Sequence, residues 1–255
     1  MNFEFSPPQR GIKESDCEFY TFLELPNEII PGTWDLRGCV DDYLGRLEYK
    51  GQTVLEIGPA SGYLTAAMEA RGASVTCIEL GDDYYGDVVP HASFDMEKAQ
   101  DERVALVQRL HNSFWLTHER AGLRAKVWHG DVRKMPVDIG HHDIGLIGAV
   151  MLHCRDPLGL LLATAARCDT IVFTDAWHPW MAATQEPFAK LVPTEANMNT
   201  HTWWEFSPSM ISNILGVLGF DASGPVRHRA LLKGNQDAPY QLYTLVASRT
   251  RRPRL

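Results

Sequence analysis

Short apolar runs rich in β-branched residues recur along the chain, separated by stretches with helical spacing. The runs fall at 53–58 (TVLEIG), 74–80 (SVTCIEL), 125–129 (AKVWH), 143–150 (DIGLIGAV) and 170–175 (TIVFTD). Several are continuous rather than alternating, as expected of strands covered by helices on both faces. Two further runs, 226–232 and 240–247, are separated only by a turn region at Gly234 and Asn235, and predict an antiparallel pair at one edge. The intervening segments predict helices over 61–71, 94–121, 156–167 and 207–218. Gly72, Gly122 and Gly219 stand just past three of their ends, and Asp156-Pro157 and Ser207-Pro208 mark two of their starts. This alternation predicts an α/β fold: a doubly wound, Rossmann-like, seven-stranded and mostly parallel sheet. Residues 1–50 do not join it. Helical spacing around Val40, Tyr43, Leu44 and Leu47 predicts an N-terminal helical cap, with 51–255 forming the sheet domain. The stretches 81–93 and 177–206 read as loops, the second rich in aromatic residues.

Composition narrows the class. With 255 residues, 45% apolar and 22% charged, the chain suits one large globular domain that needs no covalent staples. The five cysteines, Cys17, Cys39, Cys77, Cys154 and Cys168, contain no C-x-x-C pair. Together with an N-terminus lacking a secretory pattern, they predict free thiols and a cytoplasmic location. No apolar run approaches the roughly 18 residues of a membrane span. Net charge is −8 and uneven: residues 222–255 hold seven basic residues against one Asp, leaving 17 basic against 31 acidic in the first 221. An acidic body argues against wrapping a nucleic-acid backbone, and the tail RTRRPRL reads as a solvated terminus.

The stretch VLEIGPASGYLTAAMEARGASVTCIEL carries the most chemistry. A strand ends in Glu56-Ile57-Gly58, a tight turn follows, a helix opens near Gly62, and a second strand ends at Glu79, 21 residues after Gly58. That is the layout of a nucleotide site at the carboxyl ends of parallel strands: glycine admits a close ligand, the helix start offers free N–H groups, and the distal carboxylate accepts ribose hydroxyls. The spacing is Glu56-x-Gly58-x-Ala60-x-Gly62, with an acid two residues before the first glycine. A carboxylate there favours a cationic cofactor, S-adenosylmethionine, over a diphosphate. Asp131, in HGDV, could accept from an adenine amino group while the Val132 N–H serves a ring nitrogen. Gly148, at the end of 143–150, could turn a carbonyl toward the methionine ammonium. Asp131 is also a natural turn-starter, and buried packing also explains Gly148.

The pattern E-x-G-x-[GA]-x-G with a second-strand acid resembles class I S-adenosylmethionine-dependent methyltransferases. Within that class the chain is similar to short relatives of the tRNA wobble-uridine carboxymethyltransferases. The residues carrying this are GTWDLRG (32–38), LEIGPASGYLT, NSFW (112–115), HGDV, LHCRDPL (152–158) and TWWEFSPSM (202–210), so the likeness spans roughly 32–220. The tRNA enzymes carry a longer N-terminal region than the 50 or so residues here. The resemblance implies methyl transfer from S-adenosylmethionine to O or N of a small organic acceptor. The alternatives left open are an RNA-modifying methyl- or carboxymethyltransferase using Arg249 to Arg254, a nicotinamide-dependent oxidoreductase, and a non-catalytic S-adenosylmethionine-binding protein.

A hydroxyl or protonated amine acceptor needs a base, and ligands in such folds sit at the carboxyl ends of the strands. That selects His153, Asp175 and His178, with His201 close behind; local hydrogen bonding or capping accounts for each equally well. A metal site from His141, His142, His153 and His178 is not expected. Trp177, Trp180, Trp203 and Trp204 predict either an acceptor lid or packing beneath a long loop. Tyr84 and Tyr85 are candidates to cover the adenosine side. The expected partner is a small molecule, not nucleic acid or a membrane, and a homodimer is left open.

Overall fold

The computed structural model describes residues 4–81, 87–184, 186–233, 235, 237 and 239–251. Tyr84, Tyr85, Gly234, Arg252 and Arg254 lie outside the described residues. The chain opens with one turn of 3-10 helix at Glu14–Asp16 and a short hairpin of β1 (Leu23–Leu25) and β2 (Glu28–Ile30). β3 (Trp34–Asp35) and α1 (Val40–Tyr43) follow. The N-terminal segment is therefore mostly extended, and only the four residues of α1 supply the helix expected there. The reason lies at Gly45 and Arg46, whose φ angles of 69° and 54° turn the chain left-handed and stop the helix. A Cβ at Gly45 would press on the Val246 side chain, so the chain crosses the sheet where only glycine fits.

The alternation then begins: β4 (Thr53–Ile57), α2 (Tyr63–Ala70), β5 (Ser74–Glu79), α3 (Met96–Arg120), β6 (Lys126–His129), β7 (His142–Gly148), α4 (Pro157–Ala165) and β8 (Cys168–Ala176). α5 (Pro179–Thr184), β9 (Ala189–Leu191), β10 (Trp204–Phe206), α6 (Pro208–Val217), β11 (Phe220–Ala222), β12 (Val226–Leu232) and β13 (Pro239–Arg249) complete it. All seven expected strands lie in one sheet of order β3-β12-β13-β8-β7-β4-β5-β6. β6, β5, β4, β7 and β8 are parallel, and β13 runs antiparallel to both β8 and β12. Two very short strands join them: β11 pairs with β13, and β3 pairs with β12 through Leu231↔Asp35 and Leu232↔Trp34. Of the N-terminal segment, β3 thus joins the sheet edge, while the β1–β2 hairpin lies apart from it, with Leu23 and Ile30 packed against Leu116 of α3.

Both faces of the sheet are covered, which is why the sequence runs are continuous. Leu55, Ile57, Ile147 and Phe173 pack with residues of α4 and α6 on one face. Val54, Val75, Leu146 and Val172 pack with Met68 of α2 and Phe114 and Trp115 of α3 on the other. The expected caps are in place: the Asp156 carboxylate accepts from Gly159 N at 2.8 Å and the Ser207 hydroxyl from Met210 N at 3.2 Å. The described part of the basic tail is anchored. Arg249 donates to the carbonyls of Ala165, Cys168 and Leu218, satisfying groups near the C-terminal ends of α4 and α6. All five cysteines are free thiols, and no described helix is long and apolar enough to cross a membrane.

One contact fixes the N-terminal segment. Gly32 lies against the backbone of Thr21, and a Cβ would fall onto the Thr21 carbonyl. Backbone cannot rotate away as a side chain can. Gly32→Ala is expected to destabilise the fold by about 1–3 kcal/mol, as other overpacking changes do. Urea unfolding measures this, and an unchanged midpoint would show that the segment yields freely.

Candidate active site

β4 lies between β5 and β7 in the sheet, so the chain leaving β4 and the chain leaving β7 diverge to opposite faces. A crevice opens at the carboxyl ends of such strands. Two adjoining cavities occupy it, of about 450 and about 1930 Å³, both open to solvent. They share Gly58, Glu79, Leu80, Asp87, Val150 and Cys154.

The loop after β4 is held from three sides. Gly58 N donates to the Ile78 carbonyl at 2.9 Å, tying the loop to β5. The Ser61 hydroxyl accepts from Thr21 N at 3.0 Å, and the Ser61 carbonyl accepts from Thr117 of α3 at 2.7 Å. Gly58 is left-handed, φ 69°, and a Cβ there would come within 3.0 Å of Val150. Ala60 is also left-handed, φ 50°, as is Ala149, φ 50°, immediately after Gly148. A non-glycine residue in that conformation is strained by about 1–2 kcal/mol. Such strain, on both banks of one crevice, is characteristic of ligand sites.

The sequence-predicted residues divide cleanly. Glu79 borders both cavities; its carboxylate accepts from Leu80 N at 2.7 Å and Ala60 N at 3.3 Å, and burial raises its pKa. Asp131 and Val132 border the smaller cavity. Burial pushes the Asp131 pKa up, but hydrogen bonds from Arg133 at 2.8 and 3.0 Å outweigh it and hold the group below its ordinary value. Ala60 and Gly148 border the larger cavity. Glu56 and Gly62 border neither. Strand alternation puts Glu56 on the Val54 face, under α2, where it accepts from the Thr65 hydroxyl at 2.6 Å. Burial pushes its pKa up to about 7. Gly62 caps α2, and a Cβ there would crowd Phe114 and Thr117 of α3 at 3.2 Å, so it serves helix packing. Contrary to what its spacing predicts, Glu56 is therefore not placed to select a cationic ligand by its charge.

At the far end of the larger cavity stands Asp175. From β5 to β8 is three strand spacings, about 14 Å at ~4.8 Å each. Asp175 is 4% exposed. Its Oδ1 accepts from Ala176 N at 2.7 Å, and its Oδ2 has no partner among the described residues. Burial pushes its pKa up to about 7, helped by the charge of Glu205. His153 borders the same cavity. Its Nδ1 lies 2.7 Å from the His201 carbonyl, which can only accept, so Nδ1 carries the proton and Nε2 the lone pair. Burial lowers its pKa to about 4. His178 is elsewhere: it faces Glu205 at 3.8 Å and borders neither cavity. His141 pairs with Asp169 at 3.0 Å.

The four tryptophans of 177–206 also border neither cavity. Trp203 donates to the Asp87 carbonyl, Trp204 to the Cys154 carbonyl at 3.1 Å, Trp177 packs on Tyr243, and Trp180 on Phe188. The segment reaches the cavity through His201 and Thr202 instead. The aromatic wall comes from residues the sequence did not single out: Tyr20, Trp34, Tyr43 and Tyr240. Tyr43 was visible only as an apolar helix position and Trp34 only within GTWDLRG (32–38), and nothing local in the sequence marks Tyr20 or Tyr240 as wall residues.

The chain matches no family profile and no curated protein sequence. Its fold is shared with solved methyltransferase structures. A candidate RNA methyltransferase from Pyrococcus horikoshii aligns at 14% identity and TM-score 0.52, over 84% of this chain and 85% of its own. Magnesium protoporphyrin IX methyltransferase from Synechocystis PCC 6803, with bound S-adenosylhomocysteine, gives 14% and 0.52 over 84% and 82%. Burkholderia thailandensis 1,6-didemethyltoxoflavin-N1-methyltransferase, with 1,6-didemethyltoxoflavin and S-adenosylhomocysteine bound, gives 15% and 0.51 over 84% and 76%. At these identities the likeness establishes the class I methyltransferase fold.

The raised pKa of Asp175 has a consequence for stability. Its folded value, about 7, lies above the ordinary 3.8, so the native state holds a proton that the unfolded chain has released. The stability this contributes is complete below the ordinary value and is lost as pH rises through about 7. Asp175→Asn is therefore expected to gain on the wild type between pH 5 and pH 8 in urea unfolding; an equal difference at both pH values would refute the shift.

Proposed function

We propose that the chain is an S-adenosylmethionine-dependent methyltransferase acting on O or N of a small organic acceptor. The observation carrying this reading is one crevice bordered by Gly58 and Glu79 at one end and by the unpartnered Asp175 carboxylate at the other. The residues present fit the cofactor. Glu79 presents carboxylate lone pairs beyond its two backbone donors, suited to ribose hydroxyls. The smaller cavity, between Ile78, Val132, Val150 and Leu160, suits a flat base, with the Val132 N–H at its rim. The end of β7 at Gly148 offers backbone carbonyls to an ammonium. Ala60 carries a methyl group where a dinucleotide loop would bring bare backbone against a pyrophosphate, and two carboxylates, Glu79 and Asp87, border the same space.

When bound, S-adenosylmethionine supplies an electrophilic methyl group. The protein's own part is to orient the acceptor and receive its proton. Asp175 Oδ2 is the base: a carboxylate raised to about 7 is matched to proton transfer near neutral pH. His153, neutral and fixed by the His201 carbonyl, accepts through Nε2 and positions the acceptor. His178 has no role in this arrangement.

Kinship with the short relatives of the wobble-uridine carboxymethyltransferases is favoured by one further observation. The segments carrying that likeness are joints around the crevice. Trp203 N, in 202–210, donates to the Leu152 carbonyl, in 152–158, at 2.9 Å, and Leu152 borders the larger cavity. An acidic body and an anchored Arg249 favour a small acceptor over RNA.

Isothermal titration with S-adenosylmethionine and with NAD separates the cofactor classes. Glu79→Ala is expected to weaken S-adenosylmethionine by about 1–3 kcal/mol, roughly 5- to 150-fold, through loss of a charged acceptor. Gly58→Val is expected to abolish binding by filling the close-approach space. Wild-type affinity in both variants, or preference for NAD, would refute the assignment.

A further inference from the structure

We propose that the acceptor end of the large cavity is a receptor for an organic ammonium: an aromatic box of Tyr20, Trp34, Tyr43 and Tyr240 closed at its inner end by Asp175. The inference rests on the methyltransferase reading for its biological use, but its geometry stands by itself. All five residues border the same cavity. Exposure grades inward, with Tyr240 at 41% and Tyr20 at 38% at the mouth, and Tyr43 and Asp175 both at 4% inside. The Trp34 and Tyr240 rings lie 4.8 Å apart at 56°, forming a corner rather than a closed stack. Large aromatics left partly exposed around a concave site mark a binding surface.

The charge pattern chooses among ligands. Asp175 Oδ2 is buried and without a donor among the described residues. No described Lys, Arg or His forms an ion pair with it, and the charged side chain that acts on it is another acid, Glu205. Arg103, which also borders the cavity, acts on Glu79, His153 and His201 but not on Asp175. An anionic acceptor would meet a carboxylate with no cation beside it. A neutral hydroxyl would satisfy the lone pair but leave the buried charge uncompensated. An ammonium does both, and its remaining faces meet aromatic rings, whose negative π-faces attract cations. The box also adjoins the transfer point. Tyr43 lies so close to Gly148 that a Cβ there would come within 2.9 Å of its ring and hydroxyl, placing the inner wall beside the strand end assigned to the cofactor.

The test uses three probes on one phenethyl scaffold, phenethylamine, 2-phenylethanol and 3-phenylpropanoate, titrated into the full chain with and without S-adenosylhomocysteine. The wild type is expected to bind the amine at least tenfold tighter than the alcohol and to reject the carboxylate. Asp175→Asn is expected to bring the amine-to-alcohol ratio close to one. Tyr240→Leu, at the exposed mouth, is expected to weaken the amine severalfold more than the alcohol. Both variants are expected to retain wild-type affinity for S-adenosylhomocysteine. Equal binding of the three probes, preference for the carboxylate, binding of none of them, or an amine preference untouched by both substitutions overturns the box. Failure of S-adenosylhomocysteine to bind, with amine preference intact, overturns the methyltransferase reading and leaves the box standing.

Discussion

The position of β4 between β5 and β7 is the constraint on which the rest of the site depends. Parallel strands send their connections out at the same end, and where the order reverses those connections must part. Everything chemically notable borders the resulting gap: Gly58 after β4, Glu79 ending β5, Gly148 ending β7 and Asp175 near the end of β8. The gap is kept open by short local bonds rather than by bulk. Gly58 is tied to Ile78, Ala60 leans on Glu79, and Ala149 N donates to the Thr174 carbonyl at 2.8 Å. Strained left-handed backbone at Ala60 and Ala149 is tolerated because these bonds over-determine it.

Within that gap, residues of one motif do different physical work. Glu56 and Glu79 both end apolar strands, yet one carboxylate is enclosed with Thr65 and Cys77 while the other faces the cavity. The side-chain period of two decides which, because it assigns Glu56 to the face that α2 covers. Glu56 holds α2 to β4 from beneath the loop. Gly58 and Gly62 divide in the same way, the first permitting approach from the crevice and the second permitting α2 to pack against α3.

The sheet was legible because burial on both faces leaves a signal that survives without alignment: unbroken runs such as IVF at 171–173 or LIG at 146–148. Helix ends were legible because Asp156, Ser207 and the following prolines cap by local chemistry. The acceptor wall was not legible. Trp34 reaches it only because Asp35 pairs with Leu231, nearly 200 positions away, and Tyr20 only because Thr21 is bonded to Ser61. Strands of two or three residues carry no periodicity, and their partners lie far along the chain. Of the two readings of the tryptophans at 177–204, a lid or packing beneath a long loop, the bonds of Trp203 and Trp204 match the packing. Indole N–H groups seek acceptors when buried, and Trp203 and Trp204 find theirs in the backbone around 87 and 154, stitching the segment down. His178 follows a strand end as expected, but proximity to a strand end gives height above the sheet and not direction toward the crevice.

Electrostatics completes the case for cationic ligands. Glu79 and Asp175 stand at the two ends of one space, and the histidines nearest it, His153 and His201, are held neutral by burial. Among the described residues, Arg103 and His111 oppose this acidic field from the wall of the larger cavity, and both act on Glu79. A diphosphate would confront carboxylates along its length, whereas two cations placed end to end would each meet one. An adenosyl sulfonium at the Glu79 end and an ammonium at the Asp175 end satisfy this field together. On the proposed reading, proton transfer from the ammonium to Asp175 would restore the nitrogen lone pair that a methyl acceptor needs and neutralise the buried charge in the same step. On that reading one carboxylate both attracts and activates the acceptor, through the Oδ2 atom that has no partner among the described residues.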